Sequence, residues 1–331
     1  MVNITKNLFG KIENNDIYLF ELRNEFLKVE IINYEAIIKS IYFNNKNVVL
    51  GFNSLEDYIK DYLYTGCFVG RNAGRIKNAS FIIDNESYYL EKNDNNNNLH
   101  SGIYCFNKYV FNYKIISQSE MELSLNINHK EDLFPGNLEI LITYKLVENK
   151  LNINIQGRTE NKTIFNPTYH TYFNLNGDSK EDILNHELKI NSDFLLCIDE
   201  HSIPNGNINK TNIPFNFNTG KLIKEDINNN ILKHQKGFDH PFILRNSQIN
   251  AILKSKKSNI QMNLYTDLPS LIFYSGNFIP KNYYKTNSVE RCGLCLEPQF
   301  YPDFLNNNFN NFLLTKDKIY NHNISYEFKH L

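Results

Sequence analysis

Apolar residues recur at every second position over much of the chain. Met121, Leu123, Leu125 and Ile127 alternate with Glu122, Ser124, Asn126 and Asn128, the pattern of a strand with one face in a core and the other in water. Leu138, Ile140, Ile142, Tyr144 and Leu146 repeat it, and beyond a polar turn at Glu148 and Asn149 so do Leu151, Ile153 and Ile155. These three segments predict an antiparallel meander. Near the start, Leu27, Val29 and Ile31 alternate with Lys28 and Glu30; near the end, Ile324, Tyr326 and Phe328 alternate with Ser325, Glu327 and Lys329. No long stretch carries an apolar stripe of helical period, and no Pro/Gly/Ser-rich linker divides the sequence. The pattern predicts an all-β fold, a single large antiparallel β-sandwich domain over residues 1–331 built from two packed sheets.

Composition changes this picture little. A length of 331 residues would also allow two domains, whereas 41% hydrophobic and 14% aromatic residues supply a large core, and 21% charged is too few for a disordered chain. Thirty-five basic residues against 36 acidic ones give a formal net charge of -1, so no long-range field favours nucleic acid or an anionic membrane. A neutral small molecule suits such a surface. The segment MVNITKNLFG has no apolar signal-like core and no stretch reaches membrane-spanning length, which predicts a cytoplasmic protein, either monomer or homodimer. Five cysteines, an odd number scattered along the chain, argue against a disulfide framework. Cys292 and Cys295 form a lone C-x-x-C that reads as structural, because Leu294 and Leu296 continue a strand-like run around Cys295. The many asparagines belong to loops, where Asn tolerates left-handed backbone.

Titratable residues set among apolar or glycine-rich neighbours mark the candidate chemistry. The segments are GRNAGRI, NNLHSG, NPTYHTYFNL, GFDHPF and LCLEPQ. His170 sits between aromatics, either as a neutral core histidine or as a proton carrier near neutral pH. Glu297 ends an apolar run, where a carboxylate is rare unless paired, for instance with Arg75, or functional. His100 lies in a turn, where a solvated histidine is the common finding. No G-x-G-x-x-G and no P-loop is present, so no cofactor is predicted.

In this order the segments resemble the aldose 1-epimerase (galactose mutarotase) family over nearly the whole length. The run is VVLGFNSLEDYI (48–59), VGRNAGRI (69–76), NNLHSG (97–102), FPGNLEILITYKL (134–146), NPTYHTYFNL (166–175), GFDHPF (237–242), FYSGNF (273–278) and CLEPQFYPD (295–303). The resemblance implies a supersandwich of antiparallel strands with a monosaccharide on its concave face. It implies His170 as general acid, Glu297 as general base, and Arg75, His100 and Asp239 as substrate-binding residues, with Tyr172 and Arg71 beside them. It implies no metal. Three positions depart from the family pattern and bear on the preferred sugar: Tyr169 and Gly74, where asparagine is common, and Ile272, where a glutamine often contacts substrate.

The implied reaction opens and recloses the hemiacetal of a free hexose such as glucose or galactose. Glu297 removes the C1 hydroxyl proton and a protonated His170 supplies one to the ring oxygen. Such an acid needs a carboxylate or backbone carbonyl to keep its pKa from falling far on burial. Rival readings are a sugar-phosphate epimerase recruiting Arg71 and Arg75, a sugar-binding protein without catalysis, and a metalloenzyme using His100, His170 and His240.

Overall fold

The computed structural model describes residues 2–129 and 131–331. The predicted meander is present as strands Glu120–Ile127, Leu138–Val147 and Lys150–Thr159, paired antiparallel in sequence order. Leu123, Ile142 and Ile155 lie side by side in this register and are fully buried, so the two-residue period does drive one face inward. The strand Tyr320–His330 then inserts between Lys150–Thr159 and Ile260–Thr266. With Asn112–Ile115 at one edge and Ala251–Ser255, Glu187–Ile190 and Lys221–Leu222 at the other, this makes a nine-stranded antiparallel sheet.

A second sheet has six strands in the order Tyr172–Phe173, Leu294–Gln299, Ser270–Tyr274, Asp239–Leu244, Ser192–Ile198 and Pro204–Lys210. Phe242, Leu271, Phe273, Leu294 and Leu296 on one of its faces join Ile142, Ile155, Leu264 and Tyr326 of the nine-stranded sheet in one apolar cluster. The Phe173 ring lies 5.0 Å from that of Tyr326 across the interface. A five-stranded sheet at the N-terminal end, from Asn3–Ile12 to Lys46–Asn47, adds Phe20, Val29 and Ile38 to the same cluster. Its first two strands carry no clean alternation, because Asn3–Ile12 is an edge strand with little buried surface.

Asparagines turn the hairpins as expected. Asn44 and Asn45 both have left-handed backbone (φ 49° and 59°), as do Asp84 and Asn85 (φ 51° and 65°), and two consecutive residues of this kind form a turn whose twist matches the strands. Leu55–Ile59 is the one α-helix among the described residues, started by the Ser54 hydroxyl, which accepts the Asp57 amide at 3.2 Å.

Ile142→Ala removes buried volume at the centre of the meander. It should lower unfolding stability by about 2–5 kcal/mol in urea denaturation. A loss below about 0.5 kcal/mol, within surface-mutation scatter, would place Ile142 outside the continuous core.

Candidate active site

The face of the six-stranded sheet turned away from the core lines a cavity of about 180 Å³. Strand alternation decides which residues reach it. Leu294 and Leu296 point into the core while Glu297 and Gln299 line the cavity, and the adjoining strand divides likewise, with Leu271 and Phe273 inward and Ile272 and Tyr274 outward. Asp239 and Pro241 continue the floor on the next strand.

His170 comes in from the segment alongside. Asn166 fastens that segment by accepting the Phe300 amide at 2.7 Å, and the Thr168 hydroxyl donates to the Pro298 carbonyl at 2.8 Å. The His170 backbone is held on its other side, its amide donating to Cys67 O and its carbonyl accepting from the Gly66 amide, both at 3.0 Å. Tyr64, His100, Tyr172 and Tyr274 surround the imidazole, with ring centroids 6.0, 5.6, 4.9 and 6.2 Å away. His170 Nε2 stands 3.8 Å from Glu297 Oε1, and Nδ1 stands 3.5 Å from the Cys295 thiol.

Burial dominates the electrostatics of this pair. It drives the His170 pKa down to about 4, against only modest support from a backbone carbonyl. It also raises the Glu297 carboxyl well above its usual value, with Asp239 adding to the effect. The backbone support expected from the sequence is thus present, but burial outweighs it and the pKa still falls, because the nearest carboxylate is itself desolvated and the other ring nitrogen meets a thiol. Both shifts favour the uncharged forms, a neutral imidazole and a protonated carboxyl.

Arg75, Asp239, His100 and Tyr172 also line the cavity. Arg75 Nε donates to Asp94 Oδ2 at 2.7 Å, and its Nη1 lies 3.6 Å from Asp239 Oδ2. Burial alone would lower the guanidinium pKa, but Asp239 and Asp94 outweigh it and the group stays cationic. The Asp239 carboxyl is raised by burial and only partly held down by Arg75. Arg75 does not pair with Glu297, which excludes the salt-bridge alternative for that carboxyl.

His100 is buried, unlike the solvated histidine its turn suggested. Its Nδ1 accepts the Gly74 amide at 3.1 Å, which fixes the ring proton on Nε2, and burial keeps the imidazole neutral. The Tyr172 hydroxyl is committed as a donor to Leu63 O at 3.1 Å, so its ring is a wall.

Arg71 is a correction. It does not line the cavity; its fully buried guanidinium sits 2.7 Å from Asp132 and donates to Pro135 O at 2.9 Å and Thr163 Oγ1 at 3.0 Å. A cation desolvated this completely requires a carboxylate, and Asp132 supplies it. Tyr169 likewise lies in the core with its hydroxyl on that of Tyr144 and touches no ligand surface, whereas Gly74 and Ile272 do line the cavity.

The three-histidine metal set does not form, since His240 turns away to pack 4.6 Å from the Phe215 ring. His170, Cys295 and Glu297 do bring one donor atom each within 4.8 Å of one another. The two His170 nitrogens face the thiol and the carboxyl separately, so a single ion would have to rotate the ring to gather all three.

Gln299, Tyr64 and Tyr274 line the cavity and were not singled out from sequence. For Gln299 a signal existed, two positions beyond Glu297 on a strand that alternates.

The family model described as aldose 1-epimerase matches residues 18–327. The chain is 32% identical to galactose mutarotase from Sus scrofa over 97% of each chain, and 30% identical to galactose mutarotase from Homo sapiens over 99% of each. The crystal structure of galactose 1-epimerase from Lactobacillus acidophilus superposes with a TM-score of 0.90 at 28% identity, covering 100% of this chain and 99% of that one.

The two shifted groups give stability opposite pH dependences. His170 takes up a proton less readily folded than unfolded, so its contribution is present above the unfolded value of 6.5 and lost as pH falls through about 4. Glu297 binds its proton more tightly when folded, so its contribution is present below 4.5 and lost as pH rises through the raised value. In thermal melts, Glu297→Gln should gain on the unsubstituted protein as the pH is raised, and His170→Asn should gain as it is lowered below 6.5. Parallel curves for all three proteins would contradict both shifts.

Proposed function

The chain belongs to the aldose 1-epimerase family, and from that membership and the site geometry we propose how its residues carry out the reaction. It is an isomerase, a mutarotase acting on sugars. Free hexoses such as glucose and galactose are the proposed substrates, and one domain in the cytoplasm the proposed setting. The five unpaired cysteines suit a reducing compartment, and no helix among the described residues is long and apolar enough to cross a membrane.

His170 is the acid and Glu297 the base. A single observation carries this assignment: an imidazole nitrogen and a carboxyl oxygen 3.8 Å apart in one cavity. In the reactive form the imidazole carries a proton and the carboxyl is ionised. Glu297 then accepts the C1 hydroxyl proton while His170 protonates the ring oxygen, the C1–O5 bond breaks and C1 becomes an aldehyde. Rotation about C1–C2 presents the other face, and the two transfers run backwards. Ring opening thus returns the couple to neutral imidazole and neutral carboxyl, the arrangement that burial favours, so desolvation works for the bond-breaking step.

Arg75, Asp239 and His100 orient the sugar. Arg75 keeps donors free beyond its two carboxylates, and His100 offers its Nε2 hydrogen to an oxygen. The positive charge of Arg75 is already balanced twice and Arg71 is occupied elsewhere, so a phosphorylated sugar has no free cation here among the described residues.

Polarimetry of freshly dissolved α-glucose and α-galactose should show accelerated mutarotation. His170→Asn and Glu297→Gln should each lower kcat by roughly 10²- to 10⁴-fold, while Arg75→Lys should chiefly raise KM. Retained turnover in Glu297→Gln would exclude the base assignment, and faster turnover of hexose 6-phosphate than of free hexose would overturn the substrate class.

A further inference from the structure

Gln299 is fully buried, lines the cavity, and has no hydrogen-bond partner for either Oε1 or Nε2 among the described residues. A buried amide left unpaired is costly, and folded proteins seldom carry one that nothing binds. Its surroundings explain the lack. The Ser270 hydroxyl opposite is spent on the Gln299 backbone carbonyl at 2.7 Å. Gly74 brings only backbone: a β-carbon there would stand 3.6 Å from Nε2 and 3.5 Å from Pro302, but glycine has none to carry a polar group. Ile272, opposite Glu297 in the neighbouring strand, offers no polar atom either.

We propose that Gln299 is a specificity-determining residue that binds the sugar hydroxyl on the carbon next to the anomeric carbon. This rests on the mutarotase reading above. Three groups follow one another along the strand Leu294–Gln299: His170 with its Nδ1 against Cys295, then Glu297, then Gln299. An aldopyranose with its ring oxygen at His170 and its C1 hydroxyl at Glu297 presents the C2 hydroxyl next in the same direction around the ring. Two strand residues span roughly 7 Å, which a glutamine side chain leaning back towards its neighbour closes, while the far side of the ring stays with Arg75 and Asp239. A primary amide both donates and accepts, so it serves a hydroxyl in both roles. The C2 hydroxyl also keeps its configuration while C1 inverts. Holding it fixes C2 while the aldehyde turns about the C1–C2 bond.

The test compares glucose with 2-deoxyglucose by polarimetry, after subtraction of the uncatalysed rates, in the unsubstituted protein and in Gln299→Met, which matches the side-chain length without polar atoms. The unsubstituted protein should favour glucose by about tenfold in kcat/KM, the value of one hydrogen bond. Gln299→Met should bring that ratio close to one with an unchanged or higher melting temperature, because it removes an unpaired buried amide. A purely structural role would instead lower the melting temperature and slow both sugars alike. The proposal is overturned if the unsubstituted protein does not discriminate between the two sugars, or if Gln299→Met keeps the original ratio. Should that variant not fold, Gln299→Leu, which likewise carries no polar atoms, must also narrow the ratio. No acceleration of glucose at all would reject the mutarotase reading itself, a separate outcome.

Discussion

An imidazole and a carboxyl stand 3.8 Å apart in a cavity walled by tyrosines, and the low dielectric there penalises every arrangement that separates charge. From that constraint the rest follows. Burial favours the neutral arrangement, with the proton on Glu297, over the charged arrangement needed to attack a hemiacetal. A reaction that consumes the imidazolium and the carboxylate together runs downhill electrostatically through its bond-breaking step. The hydroxyl-binding groups, chiefly Arg75 with its two carboxylates, meet the preceding cost of separating the charges.

What keeps the couple in place is the pleat of a sheet. The strand Leu294–Gln299 gives its even positions 294 and 296 to the sandwich core and its odd positions 297 and 299 to the cavity, so core packing and active-site geometry are two faces of the same six residues. A one-residue slip in register would bury Glu297 among phenylalanines and expose Leu296 to the sugar. The apolar face that joins Phe273 and Leu296 to the nine-stranded sheet therefore enforces catalytic geometry as well as stability.

The meander from 120 to 159 was legible because hydrophobic alternation reports directly on a half-buried strand, and the asparagine hairpins because left-handed backbone is a local property. The strands Ser270–Tyr274 and Leu294–Gln299 are buried on both faces and give no alternation of polarity, so His170 and Glu297 stood out only as polar residues in apolar company. Arg71 and Arg75 show the limit. They are four residues apart in one motif, yet only the fold reveals that Asp132 claims the first and the cavity the second. His100 read as solvated because its turn is polar in sequence, whereas the Gly74 amide and the Tyr64 ring cover it in space. The depressed histidine pKa was beyond reach as well, since desolvation depends on neighbours from distant strands.

Nitrogen-15 NMR of the His170 ring in the sugar-free protein, assigned by its loss in His170→Asn, tests the preference for a neutral imidazole most directly. A neutral imidazole at pH 7 that titrates near pH 4 is what burial predicts. An imidazolium that persists to pH 7 would mean that the proton rests on the histidine, and that charge separation in this cavity is not the uphill step on which the account depends.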